Sequence, residues 1–223
     1  MKTKFNWFNY NLKRNKEANK IHSINLKNKL NFLEKGVYQN IRDIYALALL
    51  ISNNQKKKIS ILDYGGNLMS HVNLENKIQT KNITFFIFNP YTPKNIKNKI
   101  GLKIKFIKKI DTCKLRKFDL IYFGSVLQYI NDLKSIRNLI IKKSNYILIT
   151  HTPITLSNKN FISNQKNAKN LIQNVHTLSQ IKNTLLYNSF KLIFKSVNDQ
   201  KYSGLKKKYK DTHSLNLLFK NSK

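Results

Sequence analysis

The stretch over residues 59–68 constrains the fold of this chain more than any other segment. It reads Ile-Ser-Ile-Leu-Asp-Tyr-Gly-Gly-Asn-Leu, so an apolar run is followed by an acid and two glycines. This order predicts a buried strand that ends at Asp63 and turns through Gly65 and Gly66 into a helix. Two glycines allow a tight turn and let a ligand approach the backbone closely. A doubly wound α/β fold binds nucleotides or nucleosides at such a turn, although the residues also suit an ordinary strand exit.

Apolar periodicity along the rest of the chain predicts further strands and helices. Helical spacing occurs over residues 31–53 and 133–142. Five strands are predicted, over residues 58–63, 83–89, 103–107, 118–123 and 146–150. We expect Pro153 to end the fifth strand. Two closing apolar segments, 190–194 and 215–219, have no helical pattern between them and therefore predict an antiparallel pair.

The predicted fold is a single α/β domain with a Rossmann-like doubly wound sheet. The sheet is mostly parallel, ends in a C-terminal antiparallel strand pair and is preceded by N-terminal helices. We expect residues 1–30 to form a basic N-terminal extension and residues 31–223 to form the domain. The chain has 223 residues and is 41% hydrophobic, which is enough for one sizeable core.

Composition disfavours several classes of protein. The best apolar run covers residues 44–51 and is shorter than the roughly 18 residues of a membrane span. Residues 1–7 are basic but lack the apolar core of a signal peptide. Cys113 is the single cysteine, so no internal disulfide can form. We therefore expect a cytoplasmic protein without a membrane span.

The formal net charge of +32 points at first sight to nucleic acid or to an anionic surface. The cations, however, are almost all lysines, and nucleic-acid readers prefer arginine for bidentate contacts. Abundant lysine, asparagine and isoleucine are typical of an AT-rich genome. We therefore do not expect nucleic acid to be the main partner. Attraction of an anionic substrate remains open.

Four motifs together resemble class I S-adenosylmethionine-dependent methyltransferases, in particular a little-characterised bacterial group. They are Leu-Asp-Tyr-Gly-Gly-Asn-Leu at 62–68, Phe-Asp-Leu-Ile at 118–121 with Ser-Val-Leu-Gln-Tyr-Ile at 125–130, Tyr-Ile-Leu-Ile-Thr-His-Thr-Pro at 146–153 and, more weakly, Gln-Asn-Val at 173–175. Their order and spacing fit the family over residues 32–219. The resemblance implies the methyltransferase fold and S-adenosylmethionine as cofactor. We expect a small-molecule or saccharide-linked methyl acceptor, for which the sequence contains no specific recognition motif. It gives no indication of the oligomeric state.

The resemblance also implies a set of cofactor-binding residues at the strand ends. A carboxylate at Asp63 is electrostatically favourable near a sulfonium cation. Asn67 stands where the family usually has a third small residue, and asparagine tolerates left-handed geometry. Asp111 is a candidate for the adenine or, equally, a loop-turn residue. The full set is Asp63, Gly65, Gly66, Asn67, Asn89, Asp111, Ser125 and Gln128.

Asn89 marks a departure from the family at the end of the second strand. The family usually places an acid there to hold both ribose hydroxyls, whereas this chain has Phe-Asn-Pro. An amide binds a hydroxyl more weakly than an ionised acceptor. This leaves two alternatives open: a catalytically degenerate relative that acts as a binding or partner module, and a basic nucleic-acid-associated protein.

Methyl transfer is an in-line displacement, so positioning supplies much of the acceleration. An oxygen acceptor also benefits from a general base. His151, after the fifth strand, is the first candidate for this base, and His71 is the second. Tyr129 is a candidate to flank the cofactor or the acceptor, or else to pack under the following helix. The sequence contains neither a phosphate-binding loop nor a Gly-x-Ser-x-Gly nucleophile elbow.

Overall fold

The computed structural model describes residues 45, 48–49, 58–66, 71, 78–89, 102–113, 116–139, 141–165, 168–187, 189–199, 205 and 211–222. The predicted extension over residues 1–30, most of the predicted helix over residues 31–53 and the candidate residue Asn67 lie outside this part of the chain. The division into an extension and a domain at residue 31 stays a prediction.

The described residues form one large mixed sheet of nine strands. They are β1 (Ile59–Tyr64), β2 (Ile83–Phe88), β3 (Lys103–Ile107), β4 (Phe118–Gly124), β5 (Ser144–Thr155), β6 (Phe161–Gln165), β7 (Ala168–Thr177), β8 (Phe190–Asp199) and β9 (Thr212–Asn221). The order is β3-β2-β1-β4-β5-β7-β6, and β9 pairs with both β5 and β8. Neighbours from β3 to β5 are parallel, whereas β9 is antiparallel to β5 and to β8. The predicted fold class, including the C-terminal antiparallel pair, is confirmed.

Strands β1, β2 and β4 are apolar because both faces of this part of the sheet are buried, whereas β3 at the edge alternates lysine with apolar residues. In β1, Ile59 and Ile61 join one core cluster, and Leu62 joins the cluster on the opposite face. In β2, Phe85 and Phe86 divide between the two clusters in the same way. Alternate side chains of a strand point to opposite faces, so neither face can carry many polar groups. Polar chemistry is therefore concentrated at the strand ends.

The ends of β1 and β4 form the point at which the strand order of the sheet reverses. From β1 the chain proceeds outward to β2 and β3, then returns to β4 on the other side of β1. Connections leave in opposite directions at such a point, and a crevice opens outside the carboxyl ends of the two strands. Tyr64, Phe88 and Gly124 end the three strands around this point.

The prediction that β5 ends before Pro153 is wrong, because the strand continues to Thr155. Proline lacks the N–H that a central ladder requires. Pro153, however, faces a gap between two neighbours: β4 pairs with β5 only as far as Thr150, and β7 pairs with it only from Ile154. On its other side Pro153 is in register with Ser214 of β9. The strand thus passes through proline where one neighbour has ended and the next has not begun.

The sequence also failed to predict the β6–β7 hairpin, and it overextended one helix. Residues 161–177 are largely polar and show no sustained alternation of apolar residues, so no strand was expected there. The helix expected over 133–142 is α1 (Leu133–Leu139), followed by a 3₁₀ turn (Ile141–Lys143). A second short helix, α2 (Leu178–Gln180), continues as a π-helical turn (Ile181–Leu185) and joins the hairpin to β8.

Asp119 links three strands near the amino end of the parallel sheet. Its Oδ2 accepts a hydrogen bond from the Ser60 N–H of β1 at 2.9 Å, and its Oδ1 accepts one from the Asn145 amide of β5 at 3.1 Å. Asp119 itself belongs to β4, which lies between those strands. A charge-assisted bond is stronger than a neutral one, so this side chain helps to fix β1, β4 and β5 relative to one another.

We expect Asp119→Ala to lower the free energy of unfolding by about 1 to 3 kcal/mol, because it removes an ionised acceptor and leaves the Ser60 N–H without it. Asp119→Asn keeps one acceptor oxygen and should lose less. Urea unfolding followed by circular dichroism measures both. An Asp119→Ala protein as stable as the parent would show that the three-strand contact contributes nothing.

Candidate functional site

Gly65 makes the turn that follows β1, and its geometry requires glycine. Its φ is +77°, a left-handed conformation that L side chains rarely adopt. A Cβ at this position would overlap the side chain of Val126, which follows β4. The Gly65 N–H donates to the Phe88 carbonyl oxygen at 2.6 Å, which ties the turn to the end of β2. The turn therefore packs against both neighbouring strand ends.

The second glycine of the turn lies directly over the carboxylate of Asp63. A Cβ on Gly66 would overlap that carboxylate. Asp63 is only 1% exposed, and its Oδ2 accepts a hydrogen bond from the buried His71 Nε2 at 3.1 Å. Among the described residues, Asp63 Oδ1 has no hydrogen-bond partner. A buried carboxylate oxygen without a donor favours a positive charge close to the turn.

Aromatic rings enclose the Asp63–His71 pair. His71 lies edge-on to Tyr45 and Phe85, with ring centroids 5.7 and 4.7 Å away. Tyr45 stacks on Tyr122 at 4.4 Å. Burial, and then the charge of Asp63, raises the pKa values of both tyrosines, so both phenols stay neutral. His71 is 0% exposed and holds Asp63; it does not face solvent as a base for a substrate would.

Asn89 contacts the glycine turn from the end of β2. Its side-chain amide donates to the Gly66 carbonyl oxygen at 3.1 Å. The residue that stands in place of the family's ribose-binding acid thus uses its N–H to hold the turn. An acid at this position could not make that bond, because an ionised carboxylate only accepts.

Ser125, which follows β4, and His151 of β5 form a hydrogen-bonded pair. His151 was predicted to follow the fifth strand, but it lies within β5, just past the point where the pairing with β4 ends, because the strand continues to Thr155. Ser125 Oγ and His151 Nδ1 are 2.9 Å apart, and both residues are half-buried. Both also have left-handed backbones, with φ of 55° for Ser125 and 49° for His151. The Ser125 N–H donates to the Thr150 carbonyl oxygen at 3.0 Å, a second link between the two strand ends. Left-handed non-glycine residues cost free energy and tend to occur at functional sites.

Gln128 and Tyr129, in the 3₁₀ turn after β4, are held by the β6–β7 hairpin. The Tyr129 hydroxyl donates to Gln165 Oε1 at 2.9 Å, and Asn174 donates to the Gln128 carbonyl oxygen at 3.2 Å. Gln128 is 2% exposed, and its Oε1 has no hydrogen-bond partner among the described residues. Burial raises the pKa of Tyr129, so its hydroxyl remains a neutral donor. The hairpin thus covers this side of the strand ends.

Asp111 lies apart from these groups. It is exposed in the 3₁₀ turn Ile110–Cys113 that follows β3, the strand at the far edge of the sheet. The turn is closed by Thr112, whose hydroxyl donates to the Lys109 carbonyl oxygen at 2.7 Å. A role for Asp111 at an adenine ring stays a prediction.

The structure brings most of the candidate residues to one edge of the sheet. Asp63, Gly65, Gly66 and Asn89 form one connected group at the ends of β1 and β2. Ser125, Gln128, Tyr129 and His151 form a second group, at the end of β4 and the adjoining part of β5, and Val126 joins it to the first through Gly65. Within the described part of the chain, no three His, Cys, Asp or Glu side chains cluster so as to hold a metal ion. No helix in that part is long and apolar enough to cross a membrane.

Three solved structures illustrate what this fold resembles. Coclaurine N-methyltransferase bound to N-methylheliamine and S-adenosylhomocysteine superposes with a TM-score of 0.55 at 10% identity, covering 81% of this chain and 72% of that one. The N-terminal domain of EvdMO1, in the presence of S-adenosylhomocysteine and D-fucose, gives 0.54 at 8% identity and covers 83% and 84%. The [4+2]-cyclase SpnF gives 0.50 at 10% identity and covers 82% of each chain.

These similarities show that the chain has the class I methyltransferase fold, as predicted. At such low identities they show the fold alone. No protein-family model and no curated protein matches the sequence.

Sequence reasoning missed three residues that hold the candidate groups in place. Gln165 and Asn174 of the hairpin bond the turn after β4, and Asn216 of β9 accepts a hydrogen bond from the His151 N–H at 3.0 Å. Asn216 could have been noticed, because it interrupts the apolar run Leu-Asn-Leu-Leu-Phe at an inward-facing position. The polar sequence of the hairpin gave no such signal for Gln165, and Asn174 belongs to the weak Gln-Asn-Val motif, which was given no role.

We expect Gly65→Ala to destabilise the protein in two separable ways. The left-handed φ costs an alanine about 1 to 2 kcal/mol, and the overlap with Val126 adds to this. The second contribution should be reduced in a Val126→Ala background, because the nearest overlapping atom, Val126 Cγ2, is removed while Cβ remains, so the loss caused by Gly65→Ala should be smaller there. A double-mutant cycle from urea unfolding measures the difference. Equal losses in both backgrounds would contradict the packing of the turn against Val126.

Asn89→Asp tests whether the amide or an acid is required at the end of β2. If Asn89 holds the turn, the aspartate loses its bond to Gly66 and places a charge beside that carbonyl oxygen. We then expect lower stability and binding of S-adenosylhomocysteine no tighter than in the parent. Asn89→Ala is the control, since it removes the bond without adding charge. Calorimetric titration of Asn89→Asp that shows binding about tenfold tighter would instead show that a ribose-binding acid had simply been lost.

Proposed function

We propose that this protein transfers a methyl group from S-adenosylmethionine to a small-molecule or saccharide-linked acceptor. The observation that carries the proposal is the arrangement at the end of β1, where a left-handed glycine turn lies over a buried carboxylate oxygen without a hydrogen-bond donor. That oxygen lies at the point where the strand order reverses, in a sheet of the methyltransferase type.

The donor set at this edge fits a cationic adenosyl ligand. Asp63 contributes negative charge beneath the turn, and the backbone of Gly65 and Gly66 forms the turn itself. We assign Asn67, Asn89, Asp111, Ser125 and Gln128 to the same binding region, as the resemblance implies. When bound, S-adenosylmethionine would supply a methyl group on a positively charged sulfur. The acceptor nucleophile would bond to the methyl carbon, and the sulfur would leave as S-adenosylhomocysteine. The protein has to hold the reactants in line and exclude water.

His151 is the proposed base for an acceptor that must lose a proton. The imidazole is half-buried, lies beside the end of β4 and shares a hydrogen bond with Ser125 Oγ at 2.9 Å. A base in this position takes a proton from an acceptor hydroxyl either directly or through the serine hydroxyl. Tyr129 is assigned to the acceptor side, where its hydroxyl is fixed by Gln165.

Two of the solved structures support a small-molecule acceptor. EvdMO1 was crystallised in the presence of D-fucose, and coclaurine N-methyltransferase was bound to N-methylheliamine; both ligands are small molecules. A saccharide-linked acceptor presents hydroxyl groups, which are the acceptors that need a base. We therefore favour methylation of a hydroxyl group.

A catalytically degenerate relative is the second candidate function. It is favoured by Asn89, whose amide is bonded to Gly66 where the family usually has a ribose-binding acid. A protein with this fold also need not transfer methyl groups, since SpnF is described as a cyclase. In this case the chain would bind a ligand or a partner without methylating it.

Calorimetric titration with S-adenosylmethionine and S-adenosylhomocysteine tests the proposed function. We expect micromolar binding of both ligands. Asp63→Asn removes the charge but keeps the shape of the side chain, so it should weaken S-adenosylmethionine, which carries the sulfonium, more than S-adenosylhomocysteine; a tenfold difference corresponds to about 1.4 kcal/mol. Asp119→Asn, at the other end of the sheet, is the matched control and should leave both affinities unchanged.

The two functions give different results in this titration. A folded parent protein that binds neither ligand would exclude methyl transfer and leave the degenerate alternative. Binding that is equally affected by Asp63→Asn and Asp119→Asn would show that the turn over Asp63 is not the cofactor site.

A further inference from the structure

Asn216 is a buried polar residue in an otherwise apolar strand. It is 1% exposed, and its neighbours Leu215, Leu217 and Leu218 in β9 belong to the core. A buried amide is costly unless its donor and acceptor are both used. Here Oδ1 accepts from the His151 N–H at 3.0 Å and Nδ2 donates to Ser196 Oγ at 3.2 Å. Both halves of the amide thus have a partner.

The contact with His151 occurs at an irregularity of the β5–β9 pairing. Ile149 pairs with Leu217 and Thr152 pairs with Leu215, so Thr150 and His151 together face Asn216. Two residues opposite one form a β-bulge, in which the regular backbone ladder is interrupted. The side chain of Asn216 takes the place of the missing ladder acceptor for His151. It does so where His151 has a φ of 49°.

The bulge determines where the imidazole lies. A regular strand would leave residue 151 in an extended conformation, whereas the left-handed conformation directs His151 back toward β4, with Nδ1 at 2.9 Å from Ser125 Oγ. Such a conformation costs free energy and persists only when surrounding contacts hold it. A chain of hydrogen bonds thus runs from Ser196 of β8 through Asn216 and His151 to Ser125 after β4.

We propose that Asn216 is a positioning residue that holds His151 in the bulge and thereby keeps its Nδ1 against Ser125. The inference rests on the proposed function only in so far as that function makes His151 the base. The Ser125 hydroxyl can donate to Nδ1 or accept from it, and a ring held in one fixed contact favours one of these two arrangements and thereby one tautomer of the neutral imidazole. Loss of the Asn216 amide should therefore change the tautomer of His151, and not only the stability of the protein.

Side-chain ¹⁵N NMR of the full chain tests this without any cofactor. The His151 signals among the five histidines are identified by their loss in His151→Gln. The parent should show one dominant tautomer of His151. Asn216→Ala should give the averaged shifts of two exchanging tautomers, as should Ser125→Ala. Asn216→Asp keeps an acceptor for the His151 N–H and should restore the parent pattern.

Ser214→Ala is the matched control for Asn216→Ala. Ser214 lies two residues earlier in β9 and is equally buried, but its hydroxyl has no hydrogen-bond partner among the described residues. Its removal should leave the His151 signals as in the parent. A folded Asn216→Ala protein with parent-like His151 signals would overturn the proposal.

Ser196→Ala covers the case in which Asn216→Ala does not fold. It removes only the second hydrogen bond of the amide and should broaden the His151 signals. Unchanged signals in this variant, together with an unfolded Asn216→Ala protein, would assign Asn216 to folding alone and overturn the proposal. Failure to bind S-adenosylmethionine would remove the proposed function but would leave the NMR result standing, so the two failures are distinguishable.

Discussion

The hydrogen bond between His71 and Asp63 is the interaction on which the β1 turn depends. It holds a carboxylate inside a core of aromatic and aliphatic side chains, directly under Gly66. A buried charge with one donor is only partly compensated, so the remaining oxygen gives the turn a negative character that its backbone alone would lack. Gly65 is required for the left-handed turn and to leave room for Val126. Gly66 is required to leave room for the carboxylate of Asp63.

The sequence predicted the parallel core because the physics there is local. Strands β1, β2 and β4 are short apolar runs buried on both faces, and each is followed by polar or turn-forming residues. The β6–β7 hairpin could not be predicted, because its polar side chains are ordered by contacts with the turn after β4, as in the bond from Tyr129 to Gln165. The continuation of β5 through Pro153 likewise depends on where β4 ends and β7 begins, which the sequence of β5 does not contain.

The candidate site was predicted as a set of positions but not as a set of contacts. Ser125 and His151 were expected at neighbouring strand ends, and the structure joins them at 2.9 Å through two left-handed backbones. Nothing in the residue types themselves requires those backbones. That of His151 occurs at the bulge opposite Asn216, a feature of strand register that a single sequence does not display. His71 was predicted as a possible base because the sequence does not show that it is buried against Asp63, eight residues earlier in the chain.

Asn89 shows how a side chain at a strand end can act on the protein and not on a ligand. An acid at the end of β2 could only accept hydrogen bonds, whereas the Asn89 amide donates to the Gly66 carbonyl oxygen. Asn89 thus makes the turn more rigid, and its bonded amide is less able to contact a ligand. If a cationic ligand binds, the attraction must come largely from Asp63, because Asn89 adds no charge. This division of roles makes the charge of Asp63, rather than the glycine pattern, the feature that separates a working methyltransferase site from a retained fold.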